Sequence, residues 1–116
     1  MIRMLPAAIV IALAAHVFLG WMWSPIGAVL AGFLVEKKWL AAGSASLMAA
    51  WGVLMVWSWT RAPHETQEMW RVVADLLGNL PPIATVVATL AVACLLGMAG
   101  GWLGAGLYRV RMQGRD

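Results

Sequence analysis

The chain has 116 residues, 63% of them hydrophobic and 11% charged, with a mean hydropathy of +0.83. Soluble domains carry about 25% charged residues, so this composition excludes a water-faced globule and points to a lipid bilayer as the solvent. The net charge of +3 does not indicate a nucleic-acid partner, because the basic residues flank apolar runs as the positive-inside rule requires.

The apolar runs are continuous and rich in Ala, Leu and Gly, without the period-two alternation of a membrane β-barrel. Backbone polar groups in hydrocarbon must then be satisfied within helices. The expected fold class is an all-α membrane protein. It forms one domain over 1–116, a compact bundle of four short transmembrane helices over about 4–20, 22–35, 39–59 and 83–108. Four charge islands punctuate these spans: Arg3, Glu36-Lys37-Lys38, the stretch from Arg61 to Asp75, and Arg109 with Arg111 and Arg115.

The first span follows Arg3 and has the character of a signal sequence, with Ala12-Leu13-Ala14 resembling a cleavage site. It is expected to be retained as a helix. Gly20 to Pro25 reads as a turn, because it joins a flexible residue, two interface-seeking rings and a helix-starting Ser-Pro. The second span is short against the ~20 residues of a comfortable crossing. The alternative is three spans plus a re-entrant half-helix at Pro25–Val35.

Charge favours four spans. With both termini cytoplasmic, Arg3, Lys37, Lys38, Arg109, Arg111 and Arg115 lie inside with Glu36 and Asp116, a net +4. Arg61 and Arg71 then lie outside with Glu65, Glu68 and Asp75, a net −1. The expected localisation is the cell membrane, multi-pass. Trp21, Trp23, Trp57 and Trp59 are expected to anchor the outer interface and Trp39, with Tyr108, the inner one. Trp51 and Trp102 fall deeper, against neighbouring helices or lipid.

Between the third and fourth spans, Met69, Val72, Val73, Leu76, Leu77 and Leu80 recur at helical spacing. Gln67, Arg71 and Asp75 occupy the opposite arc. This predicts an amphipathic outer-surface helix at about 65–80, with Arg71 and Asp75 placed to pair. Pro81-Pro82 ends it and opens the last span.

In lipid, helices associate by close backbone approach at small residues. Gly97, Gly100, Gly101 and Gly104 form two overlapping G-x-x-x-G pairs and are predicted helix-packing positions, in one chain or between copies. Gly27 with Ala31, Ala28 with Gly32, Ala42 with Ser46 and Ala45 with Ala49 are further pairs of small residues. Ser44 and Ser46 are expected to bond back to their own helix.

His16 is the one ionisable residue well inside a span, and such groups are functional candidates by default. It is the candidate cofactor-binding residue, as a proton relay, metal ligand or axial ligand, and its expected place is about one turn from the outer interface. The alternative is an imidazole hydrogen-bonded within the bundle. The run from Ala12 to His16, followed by Trp21 and Trp23, resembles the Ala-x-x-x-His and aromatic pattern of bacterial light-harvesting polypeptides. The match covers about a dozen residues of one span. In that family the His would ligate bacteriochlorophyll, but the members are single-span, and the resemblance assigns no family here. The first-span carboxylate of small multidrug exporters and the pore Asn of fluoride channels are absent.

Phosphate loops, nucleophile elbows and zinc helices are also absent, and Cys94 stands alone. His64, Glu65 and Glu68 fit a solvated helix start better than a metal site. No enzyme activity, cofactor or metal is expected. The expected function is that of a structural or accessory membrane protein, forming a glycine-packed homo-oligomer or a subunit of a larger membrane complex. One alternative is an oligomeric transporter or channel with a polar path through Ser44, Ser46, Thr85, Thr89 and His16. A holin-like pore former is the third.

Overall fold

The computed structural model describes residues 4–114. Arg3, Arg115 and Asp116, which entered the charge argument, lie outside them. All the regular elements described are helical: α1 at Leu5–Leu19, α2 at Pro25–Leu34, α3 at Trp39–Arg61, α4 at Pro63–Leu76 and α5 at Ile83–Gln113. Short 3-10 turns, Trp21–Trp23 and Glu36–Lys38, link α1 to α2 and α2 to α3.

α3 and α5 are long and apolar enough to cross a membrane. Only 28% and 22% of their most apolar windows are buried within the chain, so these are not core helices wrapped by the rest of a globule. Their outward residues include Val53, Val56, Leu95, Trp102 and Leu107, all more than half exposed. α1 and α2 are shorter. At about 1.5 Å per residue, α2 is only about 15 Å long, half the ~30 Å hydrocarbon thickness. The expected 22–35 element is therefore shorter as an α-helix, because Trp21–Trp23 is spent on the turn and Ser24 precedes Pro25.

α5 lies along α2 and α3, and α1 packs on α2 and α3. Ala8, Ala31 and Ala42 form one core layer, flanked by Leu5 and Val35. The start of α1 and the end of α2 therefore share one end of the bundle. Tyr108 meets the Phe33 ring edge-on at 5.7 Å, and the Arg111 guanidinium lies 5.9 Å from that ring. The C-terminal part of α5 thus reaches the same end, beside the Lys37-Lys38 turn. The charges from Arg61 to Asp75 sit at the other end, where α3 passes into α4.

The next layer is Ala12, Leu47, Ala50 and Ala93, with Leu13, Trp51 and Leu96 packed on it. Beyond it the α1–α2 hairpin stops. Gly20 turns the chain at φ 98°, a backbone conformation costly for residues with a Cβ. The Trp51 indole N–H donates to Ser24 Oγ at 3.2 Å, so the hairpin turn stands near the level of Trp51. α3 runs on for ten more residues to Arg61, about 15 Å by helical rise.

α4 covers the bundle end that the hairpin does not reach. Thr66 Oγ1 donates to the Ser58 carbonyl at 3.1 Å, and Thr85 Oγ1 donates to the Trp70 carbonyl at 2.7 Å. The Trp59 and Trp70 rings stack at 5.2 Å. The helix ends at Leu76, not at Leu80 as its apolar spacing predicts. Gly78 and Asn79 take positive φ of 118° and 57°, and the Leu80 N–H reaches back to the Ala74 carbonyl at 3.1 Å. That is the closing bond of a helix terminus, with glycine as the favoured residue for the reversal.

The predicted apolar face of α4 is divided. Thr66, Ala74 and the half-buried Trp70 and Val73 face the bundle, while Met69, Val72 and Leu76 remain exposed. Arg71 pairs with Glu68 at 2.7 Å rather than with Asp75. An i, i+3 partner is as close on a helix as an i, i+4 one.

Candidate functional site

The predicted glycine positions all lie at helix contacts within the chain. A methyl group on Gly101 would strike the Trp39 carbonyl, one on Gly104 the Val29 carbonyl, and one on Gly97 the backbone of Gly43 and Ser44. Gly100 faces Ala28 and the Pro25 carbonyl. Gly32 and Gly43 return the contact from α2 and α3, against Gly101 and against Gly97 and Gly101 respectively. The G-x-x-x-G faces are thus covered by the chain's own α2 and α3 and are not left free for a second copy. Gly106 differs, with open space where a Cβ would go. Of the other small-residue pairs, Gly27, Ala28, Ala31, Gly32, Ala42 and Ser46 are buried, but Ala45 is exposed and Ala49 only half-buried.

The hydroxyls named as a polar path do not line up. Ser44 Oγ donates to the Leu40 carbonyl at 2.9 Å, and Ser46 Oγ to the Gly43 carbonyl at 2.9 Å. Both are turned onto their own helix in the glycine-packed half. Thr85 and Thr89 lie in the other half with His16, where they line a common recess.

That recess has a volume of about 420 Å³. It exists because α1 and α2 end early while α3 and α5 continue beneath α4. His16 and Trp21 form its floor, Trp51, Leu54, Met55 and Ser58 come from α3, and Thr85 and Thr89 from α5. Thr66, Met69, Trp70 and Val73 of α4 close it from above. Thr66 and Thr85 hold α4 in place through the bonds already described, and Thr89 Oγ1 donates to the Thr85 carbonyl at 2.8 Å.

His16 is the exception in this satisfied setting. Its Nδ1 is buried and has no hydrogen-bond partner, the only such side-chain atom among the described residues. The ring meets Trp51 edge-on, centroids 6.1 Å apart. Buried polar atoms are ordinarily paired; this nitrogen has almost no accessible surface and lies within the packing of the bundle, while the residue also borders the recess. His16 lies about 17 Å along α1 from Leu5 by helical rise. It stands level with Trp51, well short of Arg61, and deeper below the α4 end than its distance from Gly20 suggested.

The ring anchors separate into groups. Trp57 and Trp59 are exposed near the α4 end, where Trp57 lies 5.0 Å from the Arg61 guanidinium. Trp39 is half-buried at the opposite end. Trp21 and Trp23 are exposed but sit at the hairpin turn, lower along α3 than Trp57 and Trp59. Trp102 points outward at 61% exposure, whereas Trp51 is drawn inward by Ser24. Ser24, Thr66 and Trp70 were missing from the sequence-based set. Thr66, Trp70 and Ala74 do recur at i, i+4, i+8, a second stripe beside the apolar one on α4.

Among the described residues, no three His, Cys, Asp or Glu side chains gather as a metal site would require. Cys94 is half-buried on α5 and takes no part in the recess. Comparison with family models, curated proteins and solved structures finds no match to this chain.

Proposed function

We propose that this chain is a small integral membrane protein of the structural or accessory kind, a rigid four-pass bundle that packs with copies of itself or within a larger membrane complex. The observation that carries this reading is the division between inside and outside. The basic half of the interior is closed by backbone contact at glycines, and the outward faces of α3 and α5 are apolar along their length. Such a body offers its surface to lipid and to neighbouring helices.

Orientation follows from charge. Lys37, Lys38, Arg109 and Arg111 lie at one end of the bundle and the acidic α4 at the other, and the positive-inside bias assigns the basic end to the cytoplasm. The side assigned to each end does not depend on how far the α1–α2 hairpin penetrates, although only a turn that emerges makes the chain four-pass. Whether its turn emerges or stays within the outer leaflet, α2 returns to the side from which α1 starts.

Because the G-x-x-x-G faces are occupied within the chain, the partner surface is expected on the outward side. Trp102, Leu103 and Leu107 around Gly106 offer one such area. Single cysteines at Gln113 and Gln67, in a Cys94→Ala background, should label from opposite sides of sealed vesicles. Labelling of both from one side would refute the four-pass threading. Gentle solubilisation should yield an oligomer or a co-purifying membrane partner, and a lone monomer would overturn the accessory reading. So would solute flux through liposomes holding the purified chain, if His16→Ala abolished it.

A further inference from the structure

We propose that the groove between α3 and α5, at its α4 end, is a binding site for one phospholipid whose head carries both a phosphate and a primary ammonium. The inference rests on the membrane reading above, since the lipid comes from the surrounding leaflet, but it does not depend on the accessory role.

Two recesses meet there at one pair of rings. A polar one, of about 460 Å³, is lined by Gln67, Glu68 and Arg71 of α4, with Pro82 and Ile83 where α5 begins. An apolar one, of about 420 Å³, has Gly52, Met55 and Val56 of α3 on one side and Val86 and Leu90 of α5 on the other. The stacked Trp59 and Trp70 rings line both. From Trp59 to Gly52 the apolar groove extends about 10 Å by helical rise. Gly52 and Val56 also border a third recess, of about 390 Å³, walled by Val53, Trp57 and Thr60. A polar recess above two apolar grooves has the shape of a diacyl lipid.

Gly52 keeps the groove open. Small residues in a membrane helix ordinarily mark close helix contact, and Gly43 on the same helix fits that rule, packed on Gly97 and Gly101. Gly52 does not: a Cβ there would meet nothing within 4 Å. Its missing side chain leaves room for an acyl chain.

The head chemistry follows from charge. Arg71 Nη2 and Glu68 Oε2 are bonded at 2.7 Å, with side chains 60% and 45% exposed. A guanidinium carries five N–H donors and a carboxylate two acceptor oxygens, so both groups keep capacity for a ligand they can reach. Together they are neutral. A head with phosphate and ammonium matches both, the phosphate on Arg71 and the ammonium on Glu68, through charge-assisted hydrogen bonds. A purely anionic head would bring its phosphate beside the Glu68 carboxylate with no cation of its own, and a choline head has no N–H to donate. Gln67 adds an exposed amide, and the Trp59 and Trp70 indoles suit the glycerol level, since tryptophan prefers the interface. An apolar helix of a second copy would leave the charged pair unmatched.

The test uses the full chain, freed of lipid in detergent and titrated with phosphatidylethanolamine, phosphatidylcholine, phosphatidylglycerol or diacylglycerol of matched chains. Native mass spectrometry counts the bound lipid. One phosphatidylethanolamine per chain should bind, ahead of the other three. Arg71→Gln should weaken it about tenfold, the worth of one charge-assisted hydrogen bond, and Glu68→Gln should erase the preference over phosphatidylcholine. Gly52→Leu places a side chain in open space, so helicity should be kept while binding falls. Equal binding of diacylglycerol would overturn head recognition. Equal or tighter binding of phosphatidylcholine or phosphatidylglycerol would overturn the ammonium assignment. Unchanged binding by Gly52→Leu would overturn the groove as the seat of the chains, and loss of an oligomer in that variant would give the groove to a second copy instead. If no lipid is retained the site falls, while cysteine labelling from opposite sides would still uphold the membrane reading. Photolabelling of the unmutated chain by phosphatidylethanolamine with a diazirine midway along one acyl chain needs no variant to fold. Label on Met55 and Leu90 peptides supports the site, and label spread evenly along α5 overturns it.

Discussion

The two halves of this bundle are built by different means. At the basic end three helices meet through backbone contact, with glycine opposite glycine between α5 and both α2 and α3. At the α4 end the contacts are hydroxyls on carbonyls, stacked indoles and an edge-on imidazole, and a cavity remains among them. In the proposed membrane setting the contrast has a physical reason. Apolar side chains gain little by leaving lipid for protein, so a tight contact has to come from small residues that bring backbones together. Polar side chains near a helix end can hold a capping element without filling the space beneath it. The first half is a rigid base, and the second is a frame around an opening.

The contrast can be broken most sharply at the base. Gly104→Leu places a side chain against the Val29 carbonyl and is expected to cost about 3 kcal/mol in a reversible detergent-unfolding titration. Gly106→Leu, two residues on but facing open space, should stay within about 0.5 kcal/mol. Equal effects at the two positions would mean that α5 does not present its glycines to α2 as described.

Next in size is Leu47→Ala. Leu47 is fully buried in the layer formed with Ala12, Ala50 and Ala93, and its loss leaves an unfilled contact worth about 2 kcal/mol. The same titration reads it, and a negligible change would place that layer outside the stable core.

A smaller, local effect is expected in the frame. Thr85→Val removes the bond to the Trp70 carbonyl and should cost about 1 kcal/mol. Hydrogen exchange should then rise across α4 while α3 and the lower part of α5 stay protected. Faster exchange throughout would show that α4 is part of the base after all. Smallest of all is Glu68→Gln, which removes an exposed ion pair with Arg71 and should change stability by less than about 0.5 kcal/mol. A larger loss in salt-free buffer would assign that pair a role in docking α4.

Much of the fold was legible in the residue order. Continuous apolar runs in α3 and α5 could only be helices, and the glycine spacing on α5 announced a close-packed face. What sequence left open was which neighbour covers that face. Gly100 and Gly104 read equally well as contacts between copies. Only the packing of α2 against α5 shows the face taken up within the chain. Periodicity on α4 found the apolar arc but not its division, because spacing says which residues share a side and not what stands opposite.

The candidate site was harder to read. His16 stood out because an ionisable residue in an apolar run is costly unless it has a use. Thr66, Trp70, Thr85 and Thr89 did not stand out, for each is ordinary at its own position. They converge on His16 only because α1 and α2 are shorter than α3 and α5 and α4 folds over the gap. Composition and pattern determined the helices, the two of them apolar and long enough to cross a membrane, and the ends at which charge collects, since these follow from local energies summed along the chain. Tertiary structure alone decided which glycines face inward and where the recess opens, since both depend on the relative lengths and placement of helices distant in sequence.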